Sequence, residues 1–135
     1  MNHRKTLVLD SWLIMAYLED EPAAEKIADL IADARDKGVS LLTSVVDIGE
    51  VWYATARKHS DRDADHAIRE LRSIGVEFIE VDWPTTQIAA RYKALGGISY
   101  ADCFAAALTK HHTAILLTGD QEFKQLEKEI DIIWL

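Results

Sequence analysis

The chain has a single cysteine, Cys103, among its 135 residues. No internal disulfide can form, and that usage fits a reducing cytosol. Cys103 has no His–Asn pattern around it that would make it a thiol nucleophile, and it reads as a small residue on a packed helix. Long hydrophobic runs are also missing. Nothing approaches the roughly 20 apolar residues of a membrane span. The apolar run that follows the basic opening MNHRK breaks at Asp10, so neither a signal peptide nor a membrane association is expected. Positive charge is scarce, with 15 Lys and Arg against 23 Asp and Glu and a net charge of −8. That balance excludes a protein that coats nucleic acid. It still admits an enzyme that meets nucleic acid through metal ions. There are no repeats, low-complexity tracts or linkers. The remainder, 49% apolar and 28% charged, suits one soluble globular domain over residues 1–135 with a proper core.

Strands and helices alternate along the chain. Thr6 to Leu9 is a short apolar run ending in Asp10 and predicts a buried strand. Asp10-Ser11 opens a helical pattern through Leu18. Pro22 suits the first turn of a second helix running to Asp36, which Lys37-Gly38 ends. Val39 to Thr43 predicts a second strand. Ser44 then caps a third helix with Val45, Ile48 and Trp52 as its inward stripe. Asp61 is expected to cap a fourth helix through Ser73. Glu77 to Val81 alternates and suits an edge strand. Thr85 to Leu95 predicts a fifth helix. Ile98 to Leu108 predicts a sixth, with Ala101, Phe104, Ala105 and Leu108 forming one thin apolar stripe. The basic tract Lys110-His-His112 suits the end of that helix better than a metal site. Thr113 to Thr118 and Ile130 to Leu135 are further strands, with a short helix between them. This alternation predicts an α/β sandwich built on a parallel sheet.

Four acidic residues stand out by position. Asp10 and Asp120 follow strands, while Glu50 and Asp102 are expected in the first turns of helices. Each has a bland reading. Asp10 can cap the helix after it, and Asp102 can form a capping box with Ser99. In a parallel sheet with right-handed crossovers, however, strand ends and the helix starts after them gather on one rim. Four carboxylates there repel one another unless hard cations sit among them. Mg²⁺ or Mn²⁺ fits an all-oxygen set, whereas zinc would want His or Cys. Such a site can activate water and stabilise the departing oxygen of a phosphodiester. Asp47 and Glu50 are i, i+3 neighbours, so this helix face has two acids and no i, i+4 cation. Arg57 lies on its far end, two turns from Glu50.

Four motifs, LVLDSW, SVVDIGEVWY, SYADCFAAAL and LLTGDQEF, recur in this order in one family. The sequence resembles the PIN-domain ribonucleases, and within them the VapC-type toxins of bacterial and archaeal toxin–antitoxin pairs. The resemblance covers the whole chain. It implies a three-layer α/β/α fold with a central five-stranded parallel sheet of order 3-2-1-4-5. It implies a cytoplasmic, Mg²⁺-dependent endoribonuclease that acts on RNA, forms a homodimer and is silenced by a cognate VapB-like antitoxin. By position, Asp10 and Asp102 would hold the metal. Glu50 and Asp120 would complete the site and orient the attacking water, with Thr118 hydrogen-bonded in support of Asp120. Asp47 departs from the family, whose members commonly have Asn there. A helix-in-groove antitoxin contact is expected on the apolar residues of the first two helices: Trp12, Met15, Tyr17, Leu18, Ile27, Leu30 and Ile31.

Other classes fit less well. A receiver-like phospho-acceptor module would pair a second acid with Asp10 ahead of the first helix. A haloacid-type phosphatase would have Asp where Trp12 stands. A catalytically inactive PIN-like module that binds RNA or protein stays open, because the motifs contain ligands and say nothing of turnover.

Overall fold

The computed structural model describes residues 6–135. The basic opening, residues 1–5, and the signal-peptide reading made on it lie outside the described residues. The elements follow one another as β1 (Leu7–Leu9), α1 (Ser11–Leu18), α2 (Ala24–Asp36), β2 (Leu41–Ser44), α3 (Val45–Lys58), α4 (Asp61–Ser73), β3 (Val76–Ile79), α5 (Trp83–Leu95), α6 (Tyr100–His111), β4 (Ile115–Thr118), a 3₁₀ helix (Gln121–Leu126) and β5 (Asp131–Trp134). The five strands form one parallel sheet in the order β3-β2-β1-β4-β5. β1 lies at its centre, with Val8 opposite Leu42 on one side and Leu116 on the other.

Side chains alternate across a strand, and the core divides accordingly. Val8, Leu42 and Leu116 pack with Tyr92, Phe104, Leu108 and Phe123. Leu9, Leu41 and Leu117 pack with Leu13, Ile27, Val51 and Leu71. The result is a three-layer α/β/α sandwich. β3 lies at the edge, as its alternating pattern predicts.

Helix α6 differs from its sequence pattern. Every residue from Asp102 to Thr109 is buried, so the helix is enclosed rather than striped. Ala105, Ala106 and Ala107 make this possible, since they let the sheet, α3 and α5 all approach.

Several local expectations shift. α2 begins at Ala24, so Pro22 belongs to the turn before it. Ser60, not Asp61, caps α4, accepting from the Asp63 N–H at 3.0 Å. On α3 the buried face is Asp47, Ile48, Val51 and Thr55. Trp52 turns aside, and its Nε1 donates to Asp65 Oδ1 of α4 at 2.9 Å. The apolar residues of α1 and α2 divide between core and surface, with Leu30 half-buried outside the cluster that the others join. Ile27 and Ile31 are buried, and Trp12, Met15, Tyr17 and Leu18 are half-buried against the same cluster. Among the described residues the large exposed apolar side chains lie elsewhere, at Tyr53, Val81, Trp83, Leu95, Tyr100 and Ile133.

Candidate functional site

The neighbouring strands β1 and β4 run in parallel and end side by side, and each leads into an acid. Asp10 follows β1 directly and caps α1. Its Oδ1 accepts from the Leu13 N–H at 2.9 Å, and its Oδ2 accepts from Thr118 Oγ1 at 2.5 Å. Thr118 is the last residue of β4. Its hydroxyl oxygen also accepts from the Asp120 N–H at 2.9 Å. One hydroxyl thus ties the start of α1 to the turn that presents Asp120. Asp120 Oδ1 in turn caps the 3₁₀ helix through the Glu122 N–H at 3.0 Å.

Two helices bring the other acids to this rim. The Asp102 N–H donates to Ser99 Oγ at 3.2 Å, the forward half of a capping box. Glu50 is in the second turn of α3, one turn later than expected. Its Oε1 accepts a hydrogen bond from Ser11 Oγ. The Ser11 N–H donates to Asp47 Oδ1 at 3.2 Å.

A cleft of about 320 Å³ opens here, lined by Ser11, Trp12, Glu50, Ser99, Asp102, Asp120 and Glu122 among others. Carboxylate oxygens of Asp102, Asp120 and Glu122 lie within 4.8 Å of one another, close enough to share one ion. Glu50 lines the cleft outside this set, and Asp10, fully buried, is near enough to Asp120 and Asp102 for their charges to act on one another. Sequence reasoning missed Glu122 and Ser11. Glu122 is two residues beyond Asp120 at the start of a short helix, and that spacing in GDQEF was the available signal. Ser11 offered none, because its partner lies 39 residues away.

Asp47 also came out differently from its helical spacing. It does not share an open face with Glu50, for it is fully buried. Its Oδ2 has no hydrogen-bond partner among the described residues. Burial raises its pKa well above the usual carboxylate range, and the nearby Asp10 charge adds to this. Asp10 is raised to about 7, first by burial and further by Asp120, against the hydrogen bonds it accepts. Asp102 is raised to about 8 by burial and by the charges of Asp120 and Asp10. These groups resist ionisation until positive charge arrives.

The cleft wall needs a glycine. A Cβ on Gly119 would come within 2.3 Å of the Trp12 ring, so only glycine lets the indole lie across the turn after β4. In chemical terms the site offers carboxylate oxygens and hydroxyls, with no His or Cys in the acidic set among the described residues. That is a donor set for a hard divalent cation.

A parallel 3-2-1-4-5 sheet with acids gathered at its carboxyl rim defines a class. The PIN-domain family model matches residues 7–129, and the chain belongs to the PIN-domain family. Among solved structures the fold is that of toxin–antitoxin proteins. A DNA-bound VapBC from Salmonella typhimurium is similar at TM-score 0.80 and 14% identity, with 96% of this chain and 97% of that one covered. A sarcin–ricin-loop-cleaving VapC toxin of Mycobacterium tuberculosis gives TM-score 0.77 and 17% identity, over 96% of this chain and 100% of that one. FitAcB from Neisseria gonorrhoeae gives 0.68 and 19%, over 95% and 96%. Comparison with curated proteins gives no match.

Proposed function

We propose that this chain is a VapC-type toxin, with residues 1–135 as one PIN domain. It is a Mg²⁺-dependent endoribonuclease, with Mn²⁺ as a substitute. It acts in the cytoplasm as a homodimer and is silenced by a VapB-like antitoxin. The observation that supports this most is the acidic cleft itself. Three carboxylates within ion-sharing distance, beside two more and near a buried Asp47 oxygen that lacks a partner among the described residues, are costly to assemble without a cation. PIN-family membership and the likeness in fold to VapC and VapBC structures support the choice of activity and partner.

Asp10, Asp102, Glu50 and Asp120 would hold the cation, and Glu122 would join from the Asp120 side. A bound Mg²⁺ lowers the pKa of water and stabilises charge on the departing oxygen of the phosphodiester. The chain's own residues do the positioning. Thr118 fixes Asp10 and the Asp120 turn against each other. Ser11 fixes one oxygen of Glu50 and leaves the other to accept a proton from the attacking water. Trp12 walls the cleft on one side.

Purified protein should cleave RNA with Mg²⁺ or Mn²⁺ and stop in EDTA. Asp10→Asn and Asp102→Asn should each abolish cleavage while the protein stays folded, because neither changes volume much. Undiminished cleavage in EDTA, or in both variants, would remove the metal mechanism. Binding of RNA without any turnover by the parent would leave a PIN-like binding module instead.

A further inference from the structure

An RNA substrate is a polyanion, yet among the described residues no Lys, Arg or His lines the cleft. The cations that grip it must stand beside the acids. On α3, Glu50 and Ala54 line the cleft. Tyr53 and Arg57 continue the same helix face at i+3 and i+7 from Glu50. Tyr53 is 47% exposed, beside Ala54 of the cleft lining in sequence. The Arg57 guanidinium lies over that ring, 5.2 Å from its centroid. Arg57 forms no ion pair among the described residues, whereas its neighbours Lys58 and His59 are both engaged by Glu19. The end of α3 therefore presents one aromatic face and one uncommitted cation, in line with the cleft.

We propose that Tyr53 and Arg57 form a nucleotide-gripping step beside the cleft, which takes single-stranded RNA. The ring stacks an unpaired base, and the guanidinium pairs with a neighbouring phosphate. The inference rests on reading the cleft as an RNA site. Every base has a π face, so the stack tolerates any sequence but requires a base that is out of a duplex. A guanidinium stacks on aromatic faces and meets phosphate oxygens through its planar fork, so one side chain serves both contacts. Along the helix axis Arg57 stands roughly 10 Å from Glu50, at 1.5 Å per residue. It thus meets a phosphate beyond the one being cleaved. The pair positions substrate and does not touch the reacting atoms.

The test uses the full chain with Asp102→Asn, to stop cleavage, and a fluorescent oligoadenylate in Mg²⁺, read by anisotropy. Adding Tyr53→Ala should weaken binding roughly 5- to 150-fold, the equivalent of about 1–3 kcal/mol for a stacked base. Tyr53→Phe should bind like the parent. Arg57→Gln should lower the slope of log Kd against log salt by about 0.7, one phosphate contact on a single strand, while Tyr53→Ala leaves that slope alone. Equal affinity in the Ala and Phe variants, or an unchanged salt slope in Arg57→Gln, overturns the proposal. So does loss of antitoxin neutralisation with RNA binding intact, which would assign the pair to the protein partner. RNA cleavage by the parent is scored separately. Cleavage with no dependence on Tyr53 or Arg57 leaves the ribonuclease reading standing and removes only this inference. Absence of cleavage with the stacking signature present removes the ribonuclease reading alone.

Discussion

Asp47 sets the chemistry at the scale of single residues. One of its oxygens accepts from the Ser11 N–H, and the other, equally buried, has no hydrogen-bond partner among the described residues. Asn has nearly the same shape, keeps the acceptor for Ser11 and removes a charge that burial and Asp10 both oppose. Asp47→Asn should therefore raise the melting temperature of metal-free protein at neutral pH. A lower melting point would show that the ionised carboxylate is stabilised by something other than Ser11. Gly119 is the opposite case. A methyl group there would overlap the Trp12 ring, and the indole would have to leave the cleft wall. Gly119→Ala should destabilise by about 1–3 kcal/mol, the usual range for overpacking. Denaturant unfolding reads it directly, and Trp12→Phe in the same background should recover part of the loss.

At the scale of elements the decisive link is between β4 and α1. Thr118 closes β4, and its hydroxyl both donates to Asp10 and accepts from Asp120. Thr118→Val keeps the shape and breaks both bonds, leaving a buried carboxylate oxygen and an N–H short of partners. The expected cost is about 1–3 kcal/mol in stability, with loss of RNA cleavage. Thr118→Ser should restore both. If Val cleaves like the parent, the bridge is not part of the site. α6 is the other telling element. Its alanines look like one thin stripe in sequence, but the helix is enclosed on all sides because three neighbours converge on it. Ala106 is fully buried, so Ala106→Leu should destabilise although leucine is a good helix former. Helix propensity differences are tenths of a kcal/mol, whereas overpacking costs about 1–3.

For the whole molecule the acids make stability depend on pH and metal together. Asp10 and Asp102 have folded-state pKa values raised to about 7 and about 8 from an ordinary value of 3.8. A raised carboxyl pKa means that the folded state holds its proton more tightly than the unfolded chain. The stability this contributes is complete below about pH 4 and is lost as pH rises through 7 and 8. In EDTA the melting temperature should therefore fall between pH 6 and pH 8. Mg²⁺ should oppose that fall, and more strongly at pH 8, where fewer protons remain on the ligands to be displaced. At a hundred times the dissociation constant it should add about 2.7 kcal/mol. A metal-free melting point that climbs from pH 6 to pH 8 would mean that these carboxyls ionise freely in the fold.

The sequence by itself determined the alternation of strands and helices, the edge position of β3, the caps Asp10, Ser44 and Ser99, and a PIN-like parallel order. These follow from local periodicity, from side chains that satisfy nearby backbone groups, and from motifs written in short contiguous stretches. Tertiary structure alone decided the rest. Helical spacing places Asp47 and Glu50 three residues apart on α3, but only packing shows that one is sealed in the core while the other reaches the cleft. Ser11 and Glu50 meet across 39 residues, and Thr118 and Asp10 across 108. Glu122 enters the acidic set because the turn after β4 folds back on Asp120. A carboxylate's surroundings, and so its charge, depend on which distant segments close over it. That is a property of the assembled sheet and helices, and no local pattern encodes it.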